Sequence, residues 1–381
     1  MDLSGEDALR LNVLLANSPQ AIRINESTMT VHALSEKGEA KVPLTPNCRD
    51  DKYLVKVRQM LSGHVLGSPG GYPVFLKRWT RMGQTRDDNL EQLLLLGEPE
   101  AVMAVVNSPG LTDELARRAW WIEPTSEMAR QMLRWEAIRK APMGKVLAEH
   151  LVEHLAFEDE PAMMIESVRL ALSEPDLIDT AAKASIWKRG QRKNAFLLGF
   201  LISSPDDFPE LKRARSDAEA VAGRLGAMAE SGNPFARALL RTISPAGQTY
   251  LDTARSILSK PFNQDVVNLL LDTLATYFSH LLPDCENDCI IDELLADAEA
   301  LCKGQDVVRL KCPSGLKALL ETVPELESDV RALLILARLG YPVVRPIFSK
   351  STAIGSLMRK KLTPVSAPIF AQIDTLTKAS L

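Results

Sequence analysis

Apolar and polar positions change rhythm once along this chain, and the change predicts its organisation. Leu9 to Leu15 reads as a short helix ended by Asn17-Ser-Pro19. Period-two alternation follows in Ala21-Ile-Arg-Ile24, Thr28-Met-Thr-Val-His-Ala-Leu34 and Glu39-Ala-Lys-Val42. Side chains on a strand alternate between two faces, so this rhythm predicts three half-buried strands. Ser35-Glu-Lys-Gly38 is a turn with a glycine available for positive φ, which joins the second and third strands as a hairpin. So small a sheet is marginal alone and needs a covering helix. Asp50 to Leu61 supplies the candidate.

From about residue 75 onward the rhythm is helical, and no strand is expected. Prolines at 99, 109, 124, 142, 161, 175, 205, 234, 245, 261, 283, 313, 324 and 342 punctuate it. Proline disrupts a helix interior but suits the first turn, so these positions mark helix starts. Helices of roughly 10–16 residues fit between them. Asp113, Glu114 and Asp179 stand near such starts, where the helix dipole favours negative charge. The turn-rich stretch Gly67-Ser-Pro-Gly-Gly-Tyr-Pro73 is the best boundary. It divides the chain into a small α+β unit, residues 1–74, and a helical domain, residues 75–381.

A thirteen-residue segment recurs 66 positions on. Pro109-Gly-Leu-Thr-Asp-Glu-Leu-Ala-Arg-Arg-Ala-Trp-Trp121 is echoed by Pro175-Asp-Leu-Ile-Asp-Thr-Ala-Ala-Lys-Ala-Ser-Ile-Trp187. Pro, Leu, Asp, Ala and Trp recur in register, and Arg117 is matched by Lys183. The spacing is too long for one helical hairpin and about right for two. The expected fold is therefore mostly α, a HEAT-like helical-repeat array with a small N-terminal α+β unit containing a β-hairpin. Such arrays bind more often than they catalyse.

Composition narrows the function classes. The 381 residues are 46% hydrophobic and 25% charged, ordinary for a soluble domain. A net charge of −4 gives no global basicity that would point to nucleic acid. Five cysteines, with acidic Asp2 and Glu6 where a leader peptide would be positive, suggest reduced thiols in the cytoplasm. The uncharged stretch from Asn194 to Pro205 is about half of the roughly 20 residues a membrane span needs.

Three groups of residues could carry chemistry. His150-Leu-Val-Glu-His154 matches the H-x-x-E-H zinc pattern, in which His150 and His154 ligate the metal and Glu153 activates a water. The helical flanks lack the context of those proteases, and two polar-face histidines are the plainer reading. Cys285, Cys289, Cys302 and Cys312 cluster, with Cys285 and Cys289 at i and i+4. Their spacing is unlike the close pairs of zinc sites, and small buried hydrophobes are the commoner role. No metal and no cofactor is expected. Finally, every tryptophan lies near Arg or Lys. Lys77-Arg78-Trp79-Thr-Arg81 and Trp187-Lys188-Arg189-Gly-Gln-Arg192-Lys193 are the richest clusters. Exposed, they could bind phosphates and stack on bases. The preferred reading is that Trp187 and Trp121 are buried in the framework between repeats, with basic stems over them, because they stand at equivalent positions of the echo.

Several segments resemble one family. Leu9-Arg-Leu-Asn-Val-Leu-Leu-Ala-Asn17, the run from Leu66 to Gly83, Leu93-Leu-Leu-Leu-Gly-Glu-Pro-Glu-Ala-Val102 and the Pro109–Trp121 segment are similar to DsrS. That family is encoded with the reverse-acting dissimilatory sulfite reductase of sulfur-oxidising bacteria. The resemblance implies a cytoplasmic accessory or regulatory protein in sulfur oxidation, non-enzymatic and acting through protein partners. It carries over no catalytic residues. An RNA-binding regulator using the Trp187–Lys193 surface is the alternative, and a zinc-dependent hydrolase a distant one.

Overall fold

Ser4 starts the first helix by accepting the Asp7 backbone N–H on its hydroxyl at 3.2 Å. This satisfies one of the amides that a helix N-terminus leaves without an intrahelical partner. The helix runs Gly5–Ala16 and buries Leu11, Leu14 and Leu15. Three strands follow, β1 (Ala21–Asn25), β2 (Thr30–Ser35) and β3 (Gly38–Pro43), antiparallel in the order β1-β2-β3. The computed structural model describes residues 3–67, 70, 90–282, 288–308, 310 and 312–379.

The sheet has the expected register logic. Val31 lies opposite Val42, and Ile22 opposite Ala33. Ile22, Val31, Ala33 and Val42 face one cluster, which the helix Asp50–Leu66 completes with Tyr53, Leu54, Val57 and Leu61. The hairpin closes with Ser35 opposite Gly38, whose φ of +112° requires glycine. Across this core, the buried carboxylate of Asp7 accepts from the Tyr53 hydroxyl, the Thr45 N–H at 2.8 Å and the Thr45 hydroxyl at 3.1 Å.

The chain folds into two compact units, Met1–His154 and Leu155–Leu381. The expected division after residue 74 lies outside the described residues. In the first unit the helices Pro99–Val106, Asp113–Ile122, Ser126–Leu133 and Pro142–His154 join the sheet. The Ile22 N–H donates to the Leu94 carbonyl at 2.9 Å, so the free edge of β1 is partly covered. Arg23 donates to the Trp121 carbonyl at 3.2 Å and holds its guanidinium 4.8 Å from the Trp121 ring centroid.

The second unit is helical, and among its described residues the only β-type pairing is an isolated bridge between Val307 and Leu310. Its central helix, Ala195–Ser203, buries every residue from Ala195 to Leu201. A helix apolar all round belongs inside a domain. It packs on Pro161–Ala171 so closely that a Cβ at Gly199 would lie 2.6 Å from Val168 Cγ1. Pro99, Pro161, Pro234 and Pro245 each stand in the first turn of a helix, as their chemistry predicts. The protein is thus mostly helical, with one small three-stranded antiparallel sheet near the N-terminus.

The two copies of the echoed segment end on helices, Asp113–Ile122 and Thr180–Gly190. Their starts differ by one residue. Thr112 caps the first, accepting the Leu115 N–H at 3.2 Å, whereas Asp179 caps the second, accepting the Ala182 N–H at 2.6 Å. Asp113, aligned with Asp179, instead accepts the Met143 N–H at 3.0 Å and ties its helix to Pro142–His154.

Candidate functional site

The helix Thr180–Gly190 ends where Gly190 lets the next helix approach, since a Cβ there would lie 2.6 Å from Leu197 Cδ2. The turn Gln191–Asn194 follows at once. The Arg192 and Lys193 N–H groups donate to the Arg189 carbonyl at 3.0 and 3.1 Å, and Asn194 Nδ2 reaches the Lys260 carbonyl at 2.9 Å. These bonds fix the backbone and leave the basic side chains outward.

The turn forms one side of a cleft of about 480 Å³ lined by Arg192, Lys193, Lys260 and Phe262, with Asp159 its sole carboxylate. Phe262 is 58% exposed. Lys188, Arg192, Lys193 and Lys260 are all exposed, and none makes an ion pair among the described residues. Neighbouring cations are spoken for: Lys183 pairs with Asp207, and Lys212 with Asp252 at 2.7 Å. Arg189 is half-buried, 5.5 Å from the Phe196 ring centroid.

The other copy of the echo is different. Arg117 and Arg118 both bind Glu114, with hydrogen bonds of 2.7 Å. The Arg117 hydrogen bonds hold the Glu114 carboxyl down at about 2. Charge is neutralised there and left open at the cleft.

Trp187 is not part of this surface. It is 4% exposed and packs on Phe200 and Phe208 at centroid distances of 5.1 and 5.4 Å. Its ring is unavailable for stacking on a ligand. Lys77, Arg78 and Arg81 lie outside the described residues. Sequence reasoning missed Lys260 and Phe262; the readable signal was an aromatic two residues from a lysine in Lys260-Pro-Phe262, its exposure being a matter of the fold. The cleft offers cations, amide groups and an aromatic face. It can hold an anion; its Ser259 hydroxyl is occupied in donating to the Ser256 carbonyl at 2.7 Å.

Comparison with protein-family models, with curated proteins and with solved structures finds no match to this chain.

His150 and His154 share one helix face, but their rings stack at 3.9 Å. The His154 Nδ1 bonds the His150 carbonyl at 3.0 Å, and the His150 ring meets Trp120 edge-on at 4.7 Å. Burial, then the neighbouring His154, lowers the His150 pKa. Glu153 is exposed. Among the described residues no three His, Cys, Asp or Glu side chains form a metal-sized group. Cys285 lies outside the described residues. Cys289 is buried, and its sulfur accepts from Arg338 Nη2 at 3.1 Å, beside the Arg338–Asp297 ion pair at 2.9 Å. Burial pushes the Cys302 thiol up to about 11, far from the range of a reactive thiolate. No described helix is long and apolar enough to cross a membrane.

Proposed function

We propose that this chain is a non-enzymatic accessory protein of cytoplasmic sulfur oxidation, acting through protein contacts made at the Lys188–Lys193 surface. The observation that carries the surface is its unpaired charge: Lys188, Arg192, Lys193 and Lys260 are exposed without an ion-pair partner among the described residues. An acidic patch on another protein is the complementary chemistry. The assignment to sulfur oxidation rests on the likeness of residues 9–17, 66–83, 93–102 and 109–121 to DsrS. A HEAT-like array is the finer reading of the helical part. Its support is the 66-residue echo, whose copies both end on helices, and the tight pairing of Pro161–Ala171 with Ala195–Ser203.

RNA binding is the second reading, favoured by the exposed Phe262 ring beside the same cations. One experiment addresses both. The full chain is affinity-purified from its native host, as wild type and as K188E/R192E/K193E, and bound protein and RNA are identified. The protein-contact reading expects a stoichiometric acidic partner that the variant loses. Retention of that partner by the variant sinks the assigned surface. Recovery of RNA instead, lost steeply with salt and weakened by Phe262→Ala, supports the second reading.

A further inference from the structure

We propose that the second unit contains a separate small-molecule site, a cavity of about 530 Å³ that takes an organic monocarboxylate with an apolar body. Helices Pro161–Ala171, Pro234–Ile243, Pro245–Ser259 and Gln264–Phe278 contribute to its wall. Its volume lies in the range of small-molecule sites, roughly 300–1,000 Å³. Leu201, Ile202 and Leu269 give it apolar surface.

The helix Gln264–Phe278 presents Leu269, Asp272, Thr273, Thr276 and Tyr277 to the cavity, a spacing that keeps them on one face. Tyr277 lies against the Tyr250 ring, centroids 3.9 Å apart, and the Arg241 guanidinium sits 3.8 Å from the Tyr277 centroid. Tyr277 is only 7% exposed, yet its hydroxyl hydrogen meets no acceptor among the described residues; the charged group beside it, the Arg241 guanidinium, can only donate. A buried O–H without an acceptor is uncommon and points to a missing one.

Two guanidiniums on the same wall are fixed in place and left with one edge over. Asp206 accepts from Arg241 Nε and Nη2 at 2.8 and 2.6 Å. Glu166 accepts from Arg169 Nε and Nη2, both at 2.8 Å. Arg241 Nη1 reaches only the Tyr277 carbonyl at 3.5 Å, and Arg169 Nη1 has no acceptor among the described residues. At the tyrosine end the leftover groups are donors, the phenol O–H and two guanidinium edges, while the Asp272 carboxylate and the His280 ring supply acceptors elsewhere on the wall. A carboxylate accepts only, which matches the donors at that end. His280 adds no positive charge, because burial and then Arg241 hold its pKa below the ordinary value. Asp272 stands five residues before Tyr277, about 7.5 Å along the helix, and opposes a second negative charge on the ligand. The site thus selects a single carboxylate placed at the tyrosine end.

The test uses the full chain and three probes with one body: 4-phenylbutanoate, 4-phenylbutan-1-ol and 4-phenylbutylamine. Calorimetry is expected to find one carboxylate bound per chain, at least tenfold tighter than the alcohol, with the amine weakest. Tyr277→Phe removes one oxygen whose O–H has no acceptor, so the fold is retained; it should weaken the carboxylate about tenfold and leave the alcohol unchanged. Arg169→Gln should act in the same direction. K188E/R192E/K193E should bind the carboxylate normally, which separates this site from the partner surface. Equal binding of the alcohol or amine, indifference of the carboxylate to Tyr277→Phe, or no binding of any probe at millimolar concentration overturns the proposal.

Discussion

His150 and His154 stack ring on ring, with centroids 3.9 Å apart and planes inclined by 23°. Zinc needs lone pairs converging on one point about 2.0–2.1 Å from each nitrogen. Nearly parallel rings aim their nitrogens side by side, and His154 Nδ1 is already engaged by the His150 carbonyl. Elemental analysis of the purified chain should find far less than one zinc per chain, and His154→Ala should not alter it. Stoichiometric zinc that disappears in His154→Ala would restore the hydrolase reading.

The Asp7–Tyr53 bond makes a prediction about acid. Burial alone raises the Asp7 pKa, but hydrogen bonds from Tyr53 and Thr45 outweigh it and leave the carboxyl below its ordinary 3.8. Between the two values the unfolded chain binds more protons than the folded one. The stabilisation is therefore complete above pH 3.8 and is lost as pH falls through the lower, folded value. Urea unfolding should show Asp7→Asn less stable than wild type at pH 7 by about 1–3 kcal/mol. The gap should narrow as pH falls below 3.8 and through the lower, folded value. A gap that is unchanged there would mean that the carboxylate charge is not what Tyr53 and Thr45 stabilise.

The N-terminal sheet and some helix starts were legible because their causes are local. Alternation over six residues sets which strand face is buried, and Pro99, Pro161, Pro234 and Pro245 act in the first turn where they stand. Other starts were not: the first helix begins at Gly5 rather than Leu9, and Pro109, Pro175, Pro205 and Pro261 precede their helices by more than a residue. The burial of Trp187 was legible from its place in the echo, but its packing partners were not: Phe200 and Phe208 arrive from later elements. The cleft was half legible: Arg192 and Lys193 stand together in sequence, but Lys260 joins them through the Asn194 bond to its carbonyl and the packing of Pro245–Ser259 on Ala195–Ser203. The cavity was invisible for the same reason, since Glu166, Arg169, Arg241 and Tyr277 come from separate helices and acquire meaning only together. Aligned Asp113 and Asp179 teach the converse lesson, because one residue type at matched positions does two jobs.

Gly247 and Gly144 share a second, shorter echo, Pro-x-Gly at the start of a helix. A Cβ at Gly247 would lie 2.2 Å from the Arg241 carbonyl oxygen, and one at Gly144 would lie 2.5 Å from that of Ile138. Both obstacles are backbone, which cannot swing aside as a side chain can. Gly247→Ala should therefore destabilise the chain, within the usual range for overpacking of about 1–3 kcal/mol. Gly223→Ala is the control, because open space surrounds its Cβ and alanine favours a helix. Thermal unfolding should lower Tm for the first and hold or raise it for the second. Equal Tm values would show that the turn before Pro245 yields easily.

Arg215 lies between two carboxylates inside the second unit. Its Nε meets Asp217 at 2.7 Å and its Nη1 meets Asp329, and none of the three side chains is more than 4% exposed. The Arg215 N–H also donates to the Ile243 carbonyl at 3.0 Å, so the segment before helix Ala218–Glu230 is tied to two helices at once. Removing one partner strands a charge where water cannot reach it, which costs about 3–5 kcal/mol. Asp329→Ala should therefore lower the urea midpoint sharply. Replacing the whole group with apolar residues strands none of these three charges. Arg215 Nη2 and Asp329 Oδ2 already have no hydrogen-bond partner among the described residues, so the network is incompletely satisfied. The triple variant Arg215→Met, Asp217→Ala, Asp329→Leu should consequently be more stable than Asp329→Ala alone. If the triple variant is the less stable, the ion pairs hold the fold by their geometry, and desolvation is the smaller effect.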